Sequence, residues 1–402
     1  MKMWDRVFGI ILPPLYNNKL SPRAYLLKRF MDGKEYFEKM DKVYPFNGFV
    51  NSLTKLDFLF LSHDFRDIIL YLKNSSYKVG ILGNEKDLEF AIQNNLKFIP
   101  YFYILKALRI FIEKPYKKQK LLIENLKKKI AYIFNRLQIK YIVLYNHVSP
   151  LDRFLISLKP YLKGTKILII QHGIFFRENI LNAKFEIALV LQNGDYYLTY
   201  GEYFTKLFNI SAKKFKIQQN LSFIPFGYPK KLNCKNIKNT NKKKRKIIGF
   251  LGQPYEIFSA YLGHKKNEIW KKVYNILKND YVVYYKPHPQ EVKFSLYPKK
   301  YSKIFLGSLE EFFNLIDIAI GIDSTALMEA SICGIPAIQI YSKDFSSDYF
   351  EDIGIAYTVS EKELHKLPFL LKEALKPFKI NPQTVKILEE PGRNFLNVIN
   401  FQ

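Results

Sequence analysis

The stretch Ile318–Ala330 (IAIGIDSTALMEA) changes character at its middle, and that change decides the architecture. Ile318–Ile320 is a short apolar run closed by a glycine, the pattern of a strand buried on both faces. Asp323 and Ser324 then precede an apolar run that reaches Cys333, the signature of a helix start. Gly334-Ile335-Pro336 ends the helix, and Ala337–Ile340 opens a second strand. A strand, a helix and a strand in so short a span make a parallel crossover unit.

The rest of the chain repeats that unit. In the second half Lys246–Leu251 and Tyr281–Tyr285 read as strands, with helices near Asn267–Leu277 and Leu309–Leu315. In the first half the strands are Leu56–Leu61, Tyr77–Leu82, Lys140–Tyr145 and Lys166–Ile170, with two more near Tyr196–Thr199 and Phe223–Phe226. Helices are expected near Asp64–Lys73 and at Lys117–Leu137. The reading is α/β, with two Rossmann-like domains, 1–228 and 247–385, facing a cleft and joined by a basic linker at 229–246. Val385–Gln402 is expected to be a terminal helix interrupted at Pro391-Gly392, and residues 1–55 precede the first clear strand.

Composition limits the partners. Of 402 residues, 63 are Lys or Arg and 36 Asp or Glu, a formal charge of +27. With 48% apolar and 16% aromatic residues, a disordered basic tail is excluded. Two cysteines, Cys234 and Cys333, are too few for a disulfide framework or a Cys-rich zinc site and suggest a reducing compartment. No apolar run reaches the roughly 18 residues of a membrane span, and Met1–Leu20 lacks the shape of a signal peptide, so a cytoplasmic protein is expected. The charge is uneven: Lys106–Lys140 holds eleven basic and two acidic residues, Lys230–Lys246 nine and none. Leu122, Leu126, Ile130, Ile133 and Leu137 recur at helical spacing within the first stretch, leaving one very basic face. That face is either simply solvated or meets anionic headgroups or a polyanionic substrate.

In open α/β sheets ligands bind beyond the carboxyl ends of the strands. Four of six histidines fall there: His63, His147, His172 and His288, but not His264 or His365. A loop histidine often only bonds a neighbouring carbonyl, so company matters. His288 sits in Lys286-Pro287-His288-Pro289, where two prolines restrict the backbone and suit a ring N–H presented to a phosphate oxygen. Ser324 and Thr325 open a helix whose free N–H groups favour an anion, although capping alone would explain them. His172, in Gln171-His172-Gly173, could take a proton from an acceptor hydroxyl, with Glu178 or Asp152 as orienting partners.

Gly252-Gln253-Pro254, Lys286-Pro287-His288-Pro289 with Glu291, and Ser324-Thr325-Ala326-Leu327, in that order, resemble the bacterial GT-B sialyltransferases and capsular polysialyltransferases over about Lys246–Ile340. The resemblance implies a GT-B fold, an acceptor-side first domain, a donor-binding second domain and a terminal segment, 386–402, returning to the first. It implies a CMP donor whose phosphate meets His288, Ser324 and Thr325, with Gly252, Gln253, Pro254, Lys286 and Pro289 around it. Glu329 would meet a ribose hydroxyl. Where that family carries an acidic base motif, this chain has Gln171-His172-Gly173, similar to CDP-glycerol glycerophosphotransferases, in which the histidine is the proposed base. The donor is therefore CMP-sialic acid or a similar acid, CDP-glycerol, or another nucleotide sugar. His172 and His288 are the candidate catalytic residues, and His63, Asp64 and His147 stand behind them.

Since no Asp-x-Asp occurs, neither metal nor cofactor is expected, and the resemblance implies an inverting transfer. Its acceptor would be a hydroxyl of an acidic or lipid-linked glycan such as capsule or lipooligosaccharide. The site of action would be the inner face of the cytoplasmic membrane, an anionic surface. A non-hydrolysing nucleotide-sugar epimerase shares the architecture but would carry more carboxylates and arginines around a diphosphate. The sequence lacks RNP-type, zinc and helix-turn-helix patterns, against a nucleic-acid partner; a basic RNA- or membrane-binding non-enzyme is the rival of another class.

Overall fold

A computed structural model describes residues 55–83, 85–100, 116–145, 150–175, 177–182, 193–216, 220–232, 234, 245–257, 259–299, 303–345, 348–373 and 376–400. Residues 1–54, His147 and most of the basic linker lie outside the described residues.

The first domain runs β1 (Phe58–Leu61), α1 (Arg66–Asn74), β2 (Val79–Gly83), α2 (Glu85–Gln93), β3 (Lys97–Pro100), α3 (Tyr116–Arg136) and β4 (Tyr141–Leu144). It continues through α4 (Pro150–Ile156), β5 (Lys166–Ile170), α5 (Arg177–Asn182), β6 (Tyr196–Thr199), α6 (Glu202–Lys214) and β7 (Ser222–Pro225). The second runs β8 (Ile247–Leu251), α7 (Ala260–Leu277), β9 (Val282–Lys286), α8 (Pro289–Phe294), β10 (Lys303–Ile304), α9 (Leu309–Leu315) and β11 (Ile318–Gly321). Then follow α10 (Thr325–Ile332), β12 (Ala337–Tyr341), β13 (Tyr357–Ser360), α11 (Leu367–Glu373) and α12 (Pro391–Asn400).

Both sheets are parallel, in the orders β3-β2-β1-β4-β5-β6-β7 and β10-β9-β8-β11-β12-β13. The order reverses between β1 and β4 and between β8 and β11, so each sheet opens a crevice there at its carboxyl edge. Strands covered on both faces need apolar side chains on both, hence the unbroken runs FLFL in β1 and IAIG in β11. In the first domain Ile68, Ile69 and Leu72 of α1 cover one face, and Ile130 and Phe134 of α3 with Phe204 of α6 cover the other. In the second, Trp270 and Val273 of α7 cover one face, and Phe312 of α9 with Leu327 and Met328 of α10 the other. The result is two Rossmann-like domains in the GT-B arrangement.

The terminal helix corrects the sequence reading. It begins at Pro391 instead of being broken there, because proline at the first helical position gives up an N–H that no helix bond needs. Val385–Glu390 is not helical: the Lys386 N–H is spent on the Tyr200 carbonyl at 2.9 Å, and the Lys386 carbonyl accepts from Tyr228 at 2.8 Å. Helix α12 packs on α1 and places Phe395 6.1 Å from both Phe58 and Phe60, on the first domain. Gly392 allows the approach, since a Cβ there would overlap Tyr71.

The two cysteines are bonded to each other. Cys234, in the chain leaving β7, meets Cys333 after α10, with Cα atoms 5.2 Å apart at a sequence separation of 99, a bond that goes against reading the two cysteines as a sign of a reducing compartment.

Candidate functional site

His288 caps α8 and is held on both sides. Its Nδ1 accepts from the Gln290 N–H at 3.1 Å, while Glu291 Oε2 accepts from the His288 N–H at 2.8 Å. A backbone N–H can only donate, so the neutral ring carries its proton on Nε2. Burial, and then Lys286, hold this imidazole below its ordinary pKa, which keeps that tautomer neutral at pH 7. Behind it Glu291 is fully buried, accepting from Tyr285 Oη at 2.7 Å and Lys266 Nζ at 2.5 Å. Burial pushes the Glu291 carboxyl up, and the buried Lys266 ammonium opposes that. Lys266 also meets Glu256 Oε1 at 2.7 Å and donates to the Gln253 carbonyl at 3.2 Å.

The turn Gly252-Gln253-Pro254 belongs to this brace more than to an open phosphate cradle. The Gly252 N–H donates to the Lys286 carbonyl at 2.9 Å, and a Cβ at Gly252 would collide with Tyr285 and Glu291. The Gly252 N–H is thus not free for a ligand, because the β8–β9 ladder adds one bond beyond Leu251. Lys286 is the last residue of β9, half-buried, with its pKa lowered by burial.

Ser324 is buried and caps α10, accepting from the Ala326 N–H at 3.2 Å. Thr325 reaches across the cleft: its Oγ1 accepts from the Ile174 N–H at 3.2 Å and would be 2.9 Å from a Cβ at Gly173. Gly173 has φ +80°, so glycine serves there both for the turn and for the close approach. The carboxyl end of β5 therefore meets the helix start after β11. Glu329, one turn on, accepts from Tyr228 Oη through one oxygen of the carboxylate expected to meet a ribose. Burial raises the Glu329 pKa, opposed by Lys230.

His172 projects into the cleft beside Tyr145, ring centroids 3.9 Å apart. One side of the ring is open to water, yet surrounding protein, then Lys230, push its pKa down to about 4, with His288 across the cleft acting in the same sense and Asp64 opposing. That shift leaves a neutral imidazole at pH 7. Its loop is fixed by Gln171, fully buried, whose Nε2 donates to the Gly173 carbonyl at 3.0 Å and whose Oε1 accepts from the Tyr200 N–H at 2.8 Å. Tyr200 Oη accepts from the Gly173 N–H at 2.9 Å.

His63 and Asp64 follow β1, on the other side of the crevice. His63 bonds Asp87, and Asp64 Oδ2 accepts from Ser62 Oγ at 2.7 Å. The sequence reading missed Tyr145, Tyr200, Tyr228, Lys230, Lys266 and Asp87. The tyrosines were findable, since each sits one to three residues past a strand, where only histidines were sought. Lys266 and Asp87 carry no such local signal.

No family model and no curated protein matches the chain. Solved structures do. The UDP-GlcNAc 2-epimerase of Methanocaldococcus jannaschii superposes with TM-score 0.54 at 13% identity, over 87% of this chain and 100% of that one. The UDP-GlcNAc 2-epimerase of Neisseria meningitidis bound to UDP-GlcNAc gives 0.54 at 10%, over 86% and 99%. Anabaena HepE in complex with UDP and glucose gives 0.52 at 11%, over 86% and 100%. At these identities the likeness is one of fold.

Proposed function

We propose that the protein transfers a nucleotide-activated sugar to a hydroxyl acceptor, with the donor phosphate between His288 and the Ser324–Thr325 helix start. The observation that carries this reading is the braced Nε2–H tautomer of His288, a neutral donor past the carboxyl end of β9, in the same sheet whose β11 leads into the Ser324-capped helix α10. Donors fixed where charge develops stabilise a departing phosphate without reorganising. In this reading His288, Thr325 and Lys286 provide the positive potential that a metal ion supplies elsewhere. The acceptor oxygen forms its bond to the sugar carbon as the bond to phosphate breaks, inverting that carbon, and the acceptor proton passes to a base. The open face of His172 orients the acceptor hydroxyl.

The motif order supports a CMP-linked sialic or similar acid, and the His172-Gly173 pair supports CDP-glycerol. The fold neighbours, named for UDP-GlcNAc or solved with uridine nucleotides, support a UDP-sugar. The groove lined by Lys128, Tyr132, Arg136 and Lys163 suits an acidic glycan or anionic headgroups, and so a peripheral place on the inner membrane face. Among the described residues no helix is long and apolar enough to cross a membrane.

The test is nucleotide release from CMP-sialic acid, CDP-glycerol and UDP-sugars, with and without an oligosaccharide acceptor. Release from one donor, accelerated by acceptor, is expected. A UDP-linked 2-epimer formed from UDP-GlcNAc without acceptor would replace transfer by epimerisation. Release from none would overturn the reading.

A further inference from the structure

The chain holds a second histidine at the crevice, built differently from His172. Ser62, His63 and Asp64 form the turn after β1. Ser62 has φ 92° and ψ 152°, a strained conformation that non-glycine residues rarely adopt. A backbone is held there only if its surroundings over-determine it, and here they do. Asp87, 2% exposed in the first turn of α2, accepts from the His63 N–H at 2.7 Å and lies 2.7 Å from His63 Nδ1. One carboxylate oxygen thus fixes both the main chain and the ring. Gly83, the last residue of β2, makes room, because a Cβ there would overlap the Asp87 side chain.

The consequence is a defined tautomer. An ionised carboxylate can only accept, so Nδ1 carries a proton and Nε2 is left with its lone pair. The ring is about a third exposed, with Phe90 at 5.7 Å on one side. The position is right for chemistry. β1, β4 and β5 are neighbours, so the turns carrying His63, Tyr145 and His172 lie along one sheet edge, with the strands β1 and β5 two spacings, about 10 Å, apart. Asp64 is near enough to act on the charge of both His63 and His172. A sugar acceptor spans that gap.

We propose that His63, oriented by Asp87, is the base that accepts the proton of the attacking hydroxyl through Nε2, while His172 only orients the acceptor. The inference rests on the transferase reading above and assigns one of its steps. As the acceptor oxygen bonds to the sugar carbon, its proton moves to Nε2 and the nucleotide leaves with the electron pair of the broken bond. His63 becomes an imidazolium beside the Asp87 carboxylate, returning the proton to water after release. Basicity supports the division of labour. Asp87, against burial, raises the His63 pKa, with Asp64 helping and Lys86 opposing, whereas among the described residues no carboxylate is bonded to the His172 ring, whose pKa is pushed down. A base works best with a pKa near the working pH.

His63 must be neutral to act, so kcat/KM should fall as pH drops through its raised pKa. Using whichever donor the wild type consumes, His63→Gln should lower kcat about 100-fold or more, the usual contribution of a general base, with the donor KM within about twofold. Asp87→Asn, a change at the positioning residue, should move the acid limb of kcat/KM to lower pH. His172→Gln should lower the rate and leave that limb in place. Wild-type rate in His63→Gln, or an unmoved limb in Asp87→Asn, overturns the assignment while the transferase reading stands. A wild type that releases nucleotide from no donor sinks that reading, and this assignment with it.

Discussion

The loop that carries His288 is held by groups of its own domain, whereas the loop that carries His172 takes its shape from both. Around His288 the chain closes a reciprocal cap with Glu291, and Lys266 and Tyr285 anchor that carboxylate in the core beneath. Around His172 the supports are Gln171 and Tyr200 from the first domain and Thr325 from the second. A site fixed inside one domain is organised whatever the other domain does. A site completed across a cleft responds to how the cleft closes. In the proposed reaction the His288 side of the phosphate site is therefore preorganised, and the acceptor end, with Thr325, is sensitive to domain position.

The comparison can be broken most forcefully at Lys266. Lys266→Met removes the cation from two buried carboxylates, Glu291 and Glu256, and should cost about 3–5 kcal/mol of second-domain stability in chemical denaturation. A cost below about 1 kcal/mol would mean that His288 is not held from beneath. Next is Gly173→Ala, which forces a side chain onto φ +80° and onto Thr325 Oγ1. It should cost about 1–3 kcal/mol, lower turnover and weaken nucleotide binding through Thr325, measured by equilibrium dialysis. Nucleotide affinity within about twofold of the wild type would separate the two loops. The mildest change is Thr325→Val, which removes the acceptor for the Ile174 N–H and should cost about 0.5–1.5 kcal/mol. In native-state hydrogen exchange the Ile174 amide should speed up while the His288 amide, bonded to Glu291, keeps its protection.

Much of this fold was legible because parallel strands covered on both faces must be continuous apolar runs, and Lys166–Ile170 and Ile318–Gly321 are. The strand-end rule then brought His288, Ser324, Thr325 and His172 to one cleft before any coordinates. Pro391 was misread because a proline inside a periodic pattern breaks a helix but equally well begins one. The choice depended on Lys386 bonding to Tyr200, 186 residues earlier. Asp87 looked like an ordinary first-turn acid, and Lys266 like one of many helical lysines, until burial singled them out.

By itself, then, the sequence determined the class of the fold, the strand ends at which ligands gather and the residue types waiting there. Those follow from local periodicity and from backbone chemistry that neighbouring residues control. Only the tertiary structure decided how each histidine is protonated and held. A tautomer and a basicity depend on which groups share a ring's surroundings, and Asp87 reaches His63, Lys266 reaches Glu291 and Thr325 reaches Ile174 through separations of 24, 25 and 151 residues. The same holds for the surplus positive charge: its amount was readable from composition, whereas the groove that gathers Lys128, Arg136 and Lys163 beside Tyr132 exists only once α3 is packed on its domain.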